Sequence, residues 1–311
     1  MSKKFNENNV TATTENVQEV TEPVQNTEKV SDVLKEQAGA IFERAKDANK
    51  NIVQQQEEER DSYLVHSNRG KIIAVWGDNG ITSLSTVLAG ELARDGKHVL
   101  IINMNRVLPA NGVWHVNTPV KPDKSIGSLL KFSEINASNI SKFFAIDSKL
   151  QPNVATIAYC DGTNVVMNNE QAAYKIYVQM LKSAQNIVDY VIIDCVKEIS
   201  DMMTLAAFQF ADYQVFAFTP DVRGIQFFKA NVPLLANEQF NNSKRIYITN
   251  MCMSCNDSVA FGDVIKQNIV AKLPIDDGIR KSISVGEFLK ANQYVGHAYK
   301  KELNNLIKEL N

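Results

Sequence analysis

Between Lys71 and Asn250 six short apolar runs recur, KIIAVW, HVLIIN, NVATIAY, YVIIDC, YQVFAFT and RIYITN, with stretches long enough to hold a helix between them. Runs that are apolar throughout, rather than at alternate positions, have to be covered on both faces. Crossovers of this length join parallel neighbours. The pattern therefore predicts an α/β fold, a mostly parallel, doubly wound sheet with helices on both faces. Ligands of such sheets sit at the carboxyl ends of the strands, so the residues following each run are the first places to look for chemistry.

At 311 residues the chain holds one large α/β domain, expected over 67–311, plus appendages. Residues 1–28 are rich in Asn, Thr, Glu, Gln and Val with almost no large apolar side chains, which predicts a disordered acidic leader. Residues 29–66 read as a helical segment and linker. Val30, Leu34, Ala38, Ile41, Ala45, Ala48 and Ile52 recur at steps of three and four, with Ser31 or Asp32 as cap. That stripe fits equally a helix packed on its own domain and one that docks a protein partner. Residues 1–66 hold eight basic and thirteen acidic side chains within a total charge of −2, so no strong DNA-binding patch is signalled. Without an apolar stretch of membrane-spanning length or a secretory leader, the expectation is a cytoplasmic protein, open to recruitment by a membrane-associated or polar complex.

Cys252 and Cys255 form a C-x-x-C in NMCMSCND. A zinc site would need two more ligands, and a redox motif should open a helix, so the reading is two thiols in a loop after a strand. Cys160 and Cys195 are isolated, and His66, His98, His115 and His297 form no triad or ligand spacing. The tail GHAYKKELNNLIKELN places Tyr299, Leu303, Leu306, Ile307 and Leu310 on one side. Its polar face is only mildly basic, which favours a closing helix on the sheet over a membrane helix.

The loop after the first run carries the chemistry. KIIAV passes through WGDNGITS directly into an amphipathic helix and then into another buried strand. A glycine-bearing turn entering a helix brings backbone N–H groups and a helix N-terminus together on an anion. Gly77 and Gly80 permit the tight backbone, and Thr82 and Ser83 offer hydroxyls.

In this setting the sequence resembles the ParA/MinD family of deviant P-loop ATPases, which carries K-G-G-x-G-K-T-T at this place. Trp76 stands at the signature lysine and Gly77 at the next glycine. Asp78 replaces the second glycine, Asn79 is the variable position, and Gly80 matches. Ile81 replaces the phosphate-loop lysine, and Thr82 and Ser83 match the threonines. VLIINMNR resembles the family's VLLIDxDP, with Asn103 and Asn105 at its two aspartates. DYVIIDC brings Asp194 to the Walker B position, and Pro220–Asp221 open the next helix as in relatives. Asn250 stands where the family reads adenine, and Pro274 and Asp276 fall in the adenine-side loop. The matches run in order over about residues 70–295.

The resemblance implies ATP or ADP as ligand, with Thr82 and Asp194 holding Mg²⁺ when nucleotide binds, and a homodimer as the working unit. It also implies a weakened site. Isoleucine cannot reach phosphate oxygens, Asp78 adds negative charge, and asparagine is a poorer cation ligand than aspartate. The expectation is a pseudo-ATPase or weak ATPase, nearest the TadZ/CpaE-like branch, although relatives there carry an N-terminal receiver-like domain that the leader does not resemble.

Overall fold

The computed structural model of the protein describes residues 69–160, 170–236, 240 and 243–310. The leader and helical segment expected over residues 1–66 lie outside the described residues. Eight strands make one sheet: β1 (Lys71–Gly77), β2 (Val99–Asn103), β3 (Ala145–Ile146), β4 (Val154–Ile157), β5 (Tyr190–Asp194), β6 (Tyr213–Phe218), β7 (Lys244–Cys252) and β8 (Ile269–Pro274). Their order is β3-β4-β2-β5-β1-β6-β7-β8, and all neighbours are parallel except the short β3–β4 pair. The mostly parallel sheet expected from the six apolar runs is thus the fold.

Seven helices of eight residues or more are described: α1 (Ile81–Ala93), α2 (Glu170–Gln185), α3 (Met202–Phe210), α4 (Val222–Asn231), α5 (Ser258–Ile265), α6 (Asp277–Ser284) and α7 (His297–Leu310). One face of the sheet presents Ile73, Val75, Val215, Ala217 and Ile248 to Leu84 and Leu88 of α1 and to Leu303 and Leu306 of α7. The opposite face is aromatic: Trp76, Phe208, Phe216, Phe218 and Phe227 stack with ring centroids between 4.9 and 6.4 Å apart. Burial on both sides is why the central strands read as unbroken apolar runs.

β8 was not among those runs. An edge strand needs apolar residues on one face only, and IVAKLP buries Ala271 and Leu273 while Lys272 faces outward. α7 packs on β8 through buried Tyr299, Leu303, Leu306 and Leu310. The Lys71 ammonium donates to the Leu310 carbonyl at 2.7 Å, fastening the last turn of α7 to the start of β1. No helix among the described residues is long and apolar enough to cross a membrane.

Candidate functional site

β1 lies at the middle of the sheet between β5 and β6, so the loop that follows it emerges at the carboxyl edge where strand order changes direction. Gly77 has no substitute there: a Cβ would stand 1.7 Å from the Ala217 carbonyl oxygen of β6. Gly80 takes the left-handed conformation with φ +69° and begins α1, which no side chain caps. The N–H groups of Ile81, Thr82 and Ser83 therefore face outward at the positive end of a helix. Such an arrangement could cradle a phosphate.

Two side-chain hydrogen bonds tie this loop to neighbouring strands. Asp78 Oδ1 accepts the Thr219 N–H at 2.8 Å, and Asn250 Nδ2 donates to the Asn79 carbonyl at 3.0 Å. Met251, in a left-handed conformation with φ 54°, lays its sulfur 3.2 Å from where a Cβ on Gly80 would be. Beside Asp78 the Thr219 hydroxyl is buried with no hydrogen-bond partner among the described residues.

The two positions where relatives carry lysine both turn inward. Trp76 is fully buried in the aromatic layer, 4.9 Å from the Phe227 ring, and its indole N–H donates to the Lys197 carbonyl at 3.2 Å. Ile81, 7% exposed, belongs to the core beneath α1. Neither side chain reaches the cradle's outer surface. Around the loop the near charges are Asp78, Asp221 and Arg223, and Arg223 is already engaged by Asp221 at 2.8 Å. The Asp221–Arg223 bond, with the adjacent Asp78 charge, raises the Arg223 pKa.

Asn103 and Asp194 end neighbouring strands in register, and Asn103 Nδ2 donates to Asp194 Oδ2 at 2.5 Å. Burial pushes the Asp194 carboxyl up to about 6, against the pull of the nearby Thr82 and Asn103 side chains. The other end of the Asn103 amide accepts the Ala110 N–H at 3.2 Å, so Asn103 bridges Asp194 to the loop after β2. Asn105 serves that loop instead of the centre. Its Oδ1 accepts the N–H groups of Val107 and Leu108, both at 2.9 Å.

The candidate residues thus fall into groups. Thr82, Asn103 and Asp194 meet at one point, and Asn79, Gly80 and Asn250 meet at another. Ser83 stands half-exposed in the first turn of α1. Pro274 ends β8 opposite Cys252, and Asp276 begins α6 by accepting the Gly278 N–H at 2.8 Å. Sequence reasoning missed Thr219 and Met251. The first acts through a backbone N–H, which every residue has, and the second through a left-handed backbone that its type does not advertise. It also missed Arg106, whose guanidinium reaches Asp201 at 3.3 Å and spans the loops after β2 and β5.

This donor set fits a phosphate held by backbone alone. It does not fit Mg²⁺-ATP as a turned-over substrate: Trp76 and Ile81 offer the cradle no cation, and the Asp194 carboxylate is tied to Asn103 in a buried site.

No protein-family model matches the chain, and no curated protein matches it in sequence. Solved structures do resemble it. A ParA family ATPase from Chlorobium tepidum superposes with a TM-score of 0.63 at 17% identity, covering 79% of this chain and 100% of its own. MinD from Pyrococcus horikoshii, in complex with Mg-ADP, gives 0.60 at 17%, covering 78% and 96%. A plasmid partition protein from Borrelia burgdorferi gives 0.55 at 14%, covering 78% and 99%. The fold is that of ParA/MinD-type P-loop ATPases.

Proposed function

We propose that this chain is a spatial organiser or assembly factor that keeps the ParA/MinD frame with a degenerate nucleotide site. It acts by dimerisation and partner recruitment, not by ATP turnover. The observation that carries this reading is the inward placement of Trp76 and Ile81 beside an acidic Asp78: neither position offers the phosphate cradle a cation, and the nearby Arg223 is engaged by Asp221. A charge-assisted hydrogen bond contributes about 1.5–3 kcal/mol, and two such contacts are missing. Loss of both separates phosphate affinity and transition-state stabilisation from an otherwise intact fold.

Dimerisation through the loop-bearing edge is supported by exposed apolar side chains on that edge. Val107 and Leu108, 83% and 76% exposed, follow β2, and Val222, Met253 and Ile275 follow β6, β7 and β8. Recruitment through residues 29–66 rests on the apolar stripe of their sequence. The cellular setting that suits the TadZ/CpaE-like pattern is pilus, secretion, conjugation or partition machinery. An ATPase assay at saturating Mg²⁺-ATP tests the reading: the expected rate is at background and unchanged in Asp194→Ala. Robust turnover that Asp194→Ala abolishes sinks it.

A second reading, a slow ATP-dependent dimeric switch for DNA partition or positioning, is favoured by three features. They are the uncapped N–H groups of α1, the Thr219 hydroxyl that has no hydrogen-bond partner among the described residues, and the nearness of the Thr82 side chain to Asp194. Calorimetry separates the two, since heat of ATP or ADP binding at a Kd below about 1 mM belongs to the switch. Dimerisation that proceeds equally with and without nucleotide belongs instead to a plain interaction scaffold.

A further inference from the structure

The amino edge of the sheet, opposite the phosphate cradle, holds a cleft of about 440 Å³. It opens where three adjacent strands enter the sheet: Lys71 begins β1, Tyr190 begins β5, and Lys97 stands two residues ahead of β2. Its floor is backbone held in place. The Gly70 N–H donates to the Gln185 carbonyl at 3.0 Å, the Lys71 N–H to the Asp189 carbonyl at 2.9 Å, and the Asp189 N–H to the His98 carbonyl at 2.9 Å. Gly70 is pressed so close to this floor that a Cβ would stand 2.0 Å from the Val188 carbonyl oxygen. The cleft is therefore preformed.

Its lining carries three cations, Arg69, Lys71 and Lys97, and one carboxylate, Asp189. The carboxylates in reach of the cations are spent mainly on backbone. Asp189 Oδ2 accepts the His98 N–H at 2.8 Å, and Asp212 Oδ2 accepts the Ile72 N–H at 2.7 Å. What they give the cations is longer: Lys97 meets Asp189 at 3.3 Å, and Arg69 meets Asp212 at 3.5 Å. Lys71 is fastened elsewhere, on the Leu310 carbonyl. A guanidinium has five N–H donors and an ammonium three. Arg69 and Lys97, with side chains 61% and 52% exposed, thus keep donors for an anion.

A matching anion occurs in the same chain, outside the described residues. Glu57–Glu58–Glu59–Arg60–Asp61 sets four carboxylates around one arginine, and Asp61 falls eight positions before Arg69. Exposed ion pairs are individually weak, so a free acidic peptide would not be held by this cleft. A tether changes that balance. A linker of this length spans at most about 28 Å and raises the local concentration of the acidic run to roughly millimolar. We propose that the run Glu57–Asp61 docks in this cleft of its own chain, with its carboxylates on Arg69 and Lys97. The cleft lies on the edge away from the cradle, so the reading is independent of what the cradle holds.

The run carries its own reporter, because trypsin cleaves after Arg60. Limited proteolysis of the full chain is compared with that of Arg69→Gln/Lys97→Gln, which leaves the run unaltered and changes two exposed side chains. Cleavage after Arg60 should be about fivefold slower in wild type than in the double variant. Cleavage after Lys35, further from the cleft in sequence, should proceed equally in both. A second readout needs no variant. Zero-length carbodiimide cross-linking of wild type should join carboxylates of the run to Lys97, and the yield should fall about threefold or more when NaCl is raised to about 0.5 M. In an equal mixture of unlabelled and nitrogen-15-labelled chains, the links should join peptides of one label only. The proposal is overturned if Arg60 is cut equally fast in both proteins, or if the run cross-links to lysines across the domain with no preference for Lys97. Links that join the two labels would also overturn it, assigning the cleft to the acidic run of a second copy.

Discussion

The Asp78 carboxylate accepts the Thr219 backbone N–H at 2.8 Å, stitching the loop after β1 to the end of β6. The ParA/MinD motif that the sequence resembles has glycine at this position, which could make no such bond. The bond fixes the cradle in place from within the protein, where a phosphate would otherwise have to order it. Asp78→Ala removes the acceptor and leaves the Thr219 N–H unpaired at a half-buried site. The expected loss is about 1–2 kcal/mol, read as a lower urea midpoint at unchanged m-value. Asp78→Asn keeps an acceptor oxygen and should lose less.

The two missing lysines are not equivalent, and restoring them one at a time should show it. Ile81 lies at the rim of the core, 7% exposed, with the cradle directly above it. A lysine there can lay its stem along α1 and lift its ammonium to the loop. Ile81→Lys should cost about 2 kcal/mol of lost burial and raise affinity for ATP by roughly 10–100-fold, measured with a fluorescent nucleotide analogue. Trp76→Lys should fail outright. It would place an unpaired ammonium among four Phe rings and unfold the domain, a loss beyond about 4 kcal/mol, seen by circular dichroism.

Much of this was legible in the residues because the central strands are buried on both faces. KIIAVW and YVIIDC could be nothing but strands, and their carboxyl ends had to carry the site. The loop's backbone was legible too, since Gly77 and Gly80 stand where a side chain would clash or the backbone turns left-handed. What the sequence hid was relational. β8 escaped the list of apolar runs because an edge strand alternates: IVAKLP buries Ala271 and Leu273 and turns Lys272 outward. Asn105 looks like a site residue from its position, yet it spends its carbonyl on the N–H groups of Val107 and Leu108. The Asp78–Thr219 bond joins residues 141 positions apart through a backbone group that carries no signature.

Asn103 tests whether the loss of acidic charge is tuned to the loss of cations. Its amide stands 2.5 Å from Asp194 Oδ2, in a buried pair. Asn103→Asp would set two carboxylates against each other with no lysine nearby, forcing one to keep its proton. The expected result is a thermal midpoint lowered by several degrees at pH 7.5 and recovered on lowering the pH to 5. Millimolar Mg²⁺ should recover part of it, because a divalent ion can bridge two carboxylates but finds only one in the wild type. Equal midpoints for variant and wild type at pH 7.5 would show that the Asn103 amide carries no such burden.

Asp194 should leave its mark on the pH dependence of stability. Its carboxyl is fully buried and pushed up to about 6 from an ordinary value of 3.8. Between those values the folded chain holds a proton that the unfolded chain has released, so the contribution of this group is greatest below about pH 4. It is lost as the pH rises through 6. Two units correspond to about 3 kcal/mol, a ceiling that structural relaxation lowers. Asp194→Asn keeps the shape and still offers Asn103 an acceptor oxygen, while removing the charge. The variant should therefore be more stable than wild type by about 1–3 kcal/mol at pH 7.5, and the advantage should shrink toward pH 4. Urea denaturation at pH 4.5, 6 and 7.5 measures it, as the wild-type-minus-variant difference, which cancels the contribution of Asp201, whose carboxyl burial also raises. A difference that stays flat across the three pH values would mean that Asp194 is ionised at an ordinary carboxylate pKa. The buried Asn103–Asp194 contact would then be a charge-assisted bond in solution at every pH tested.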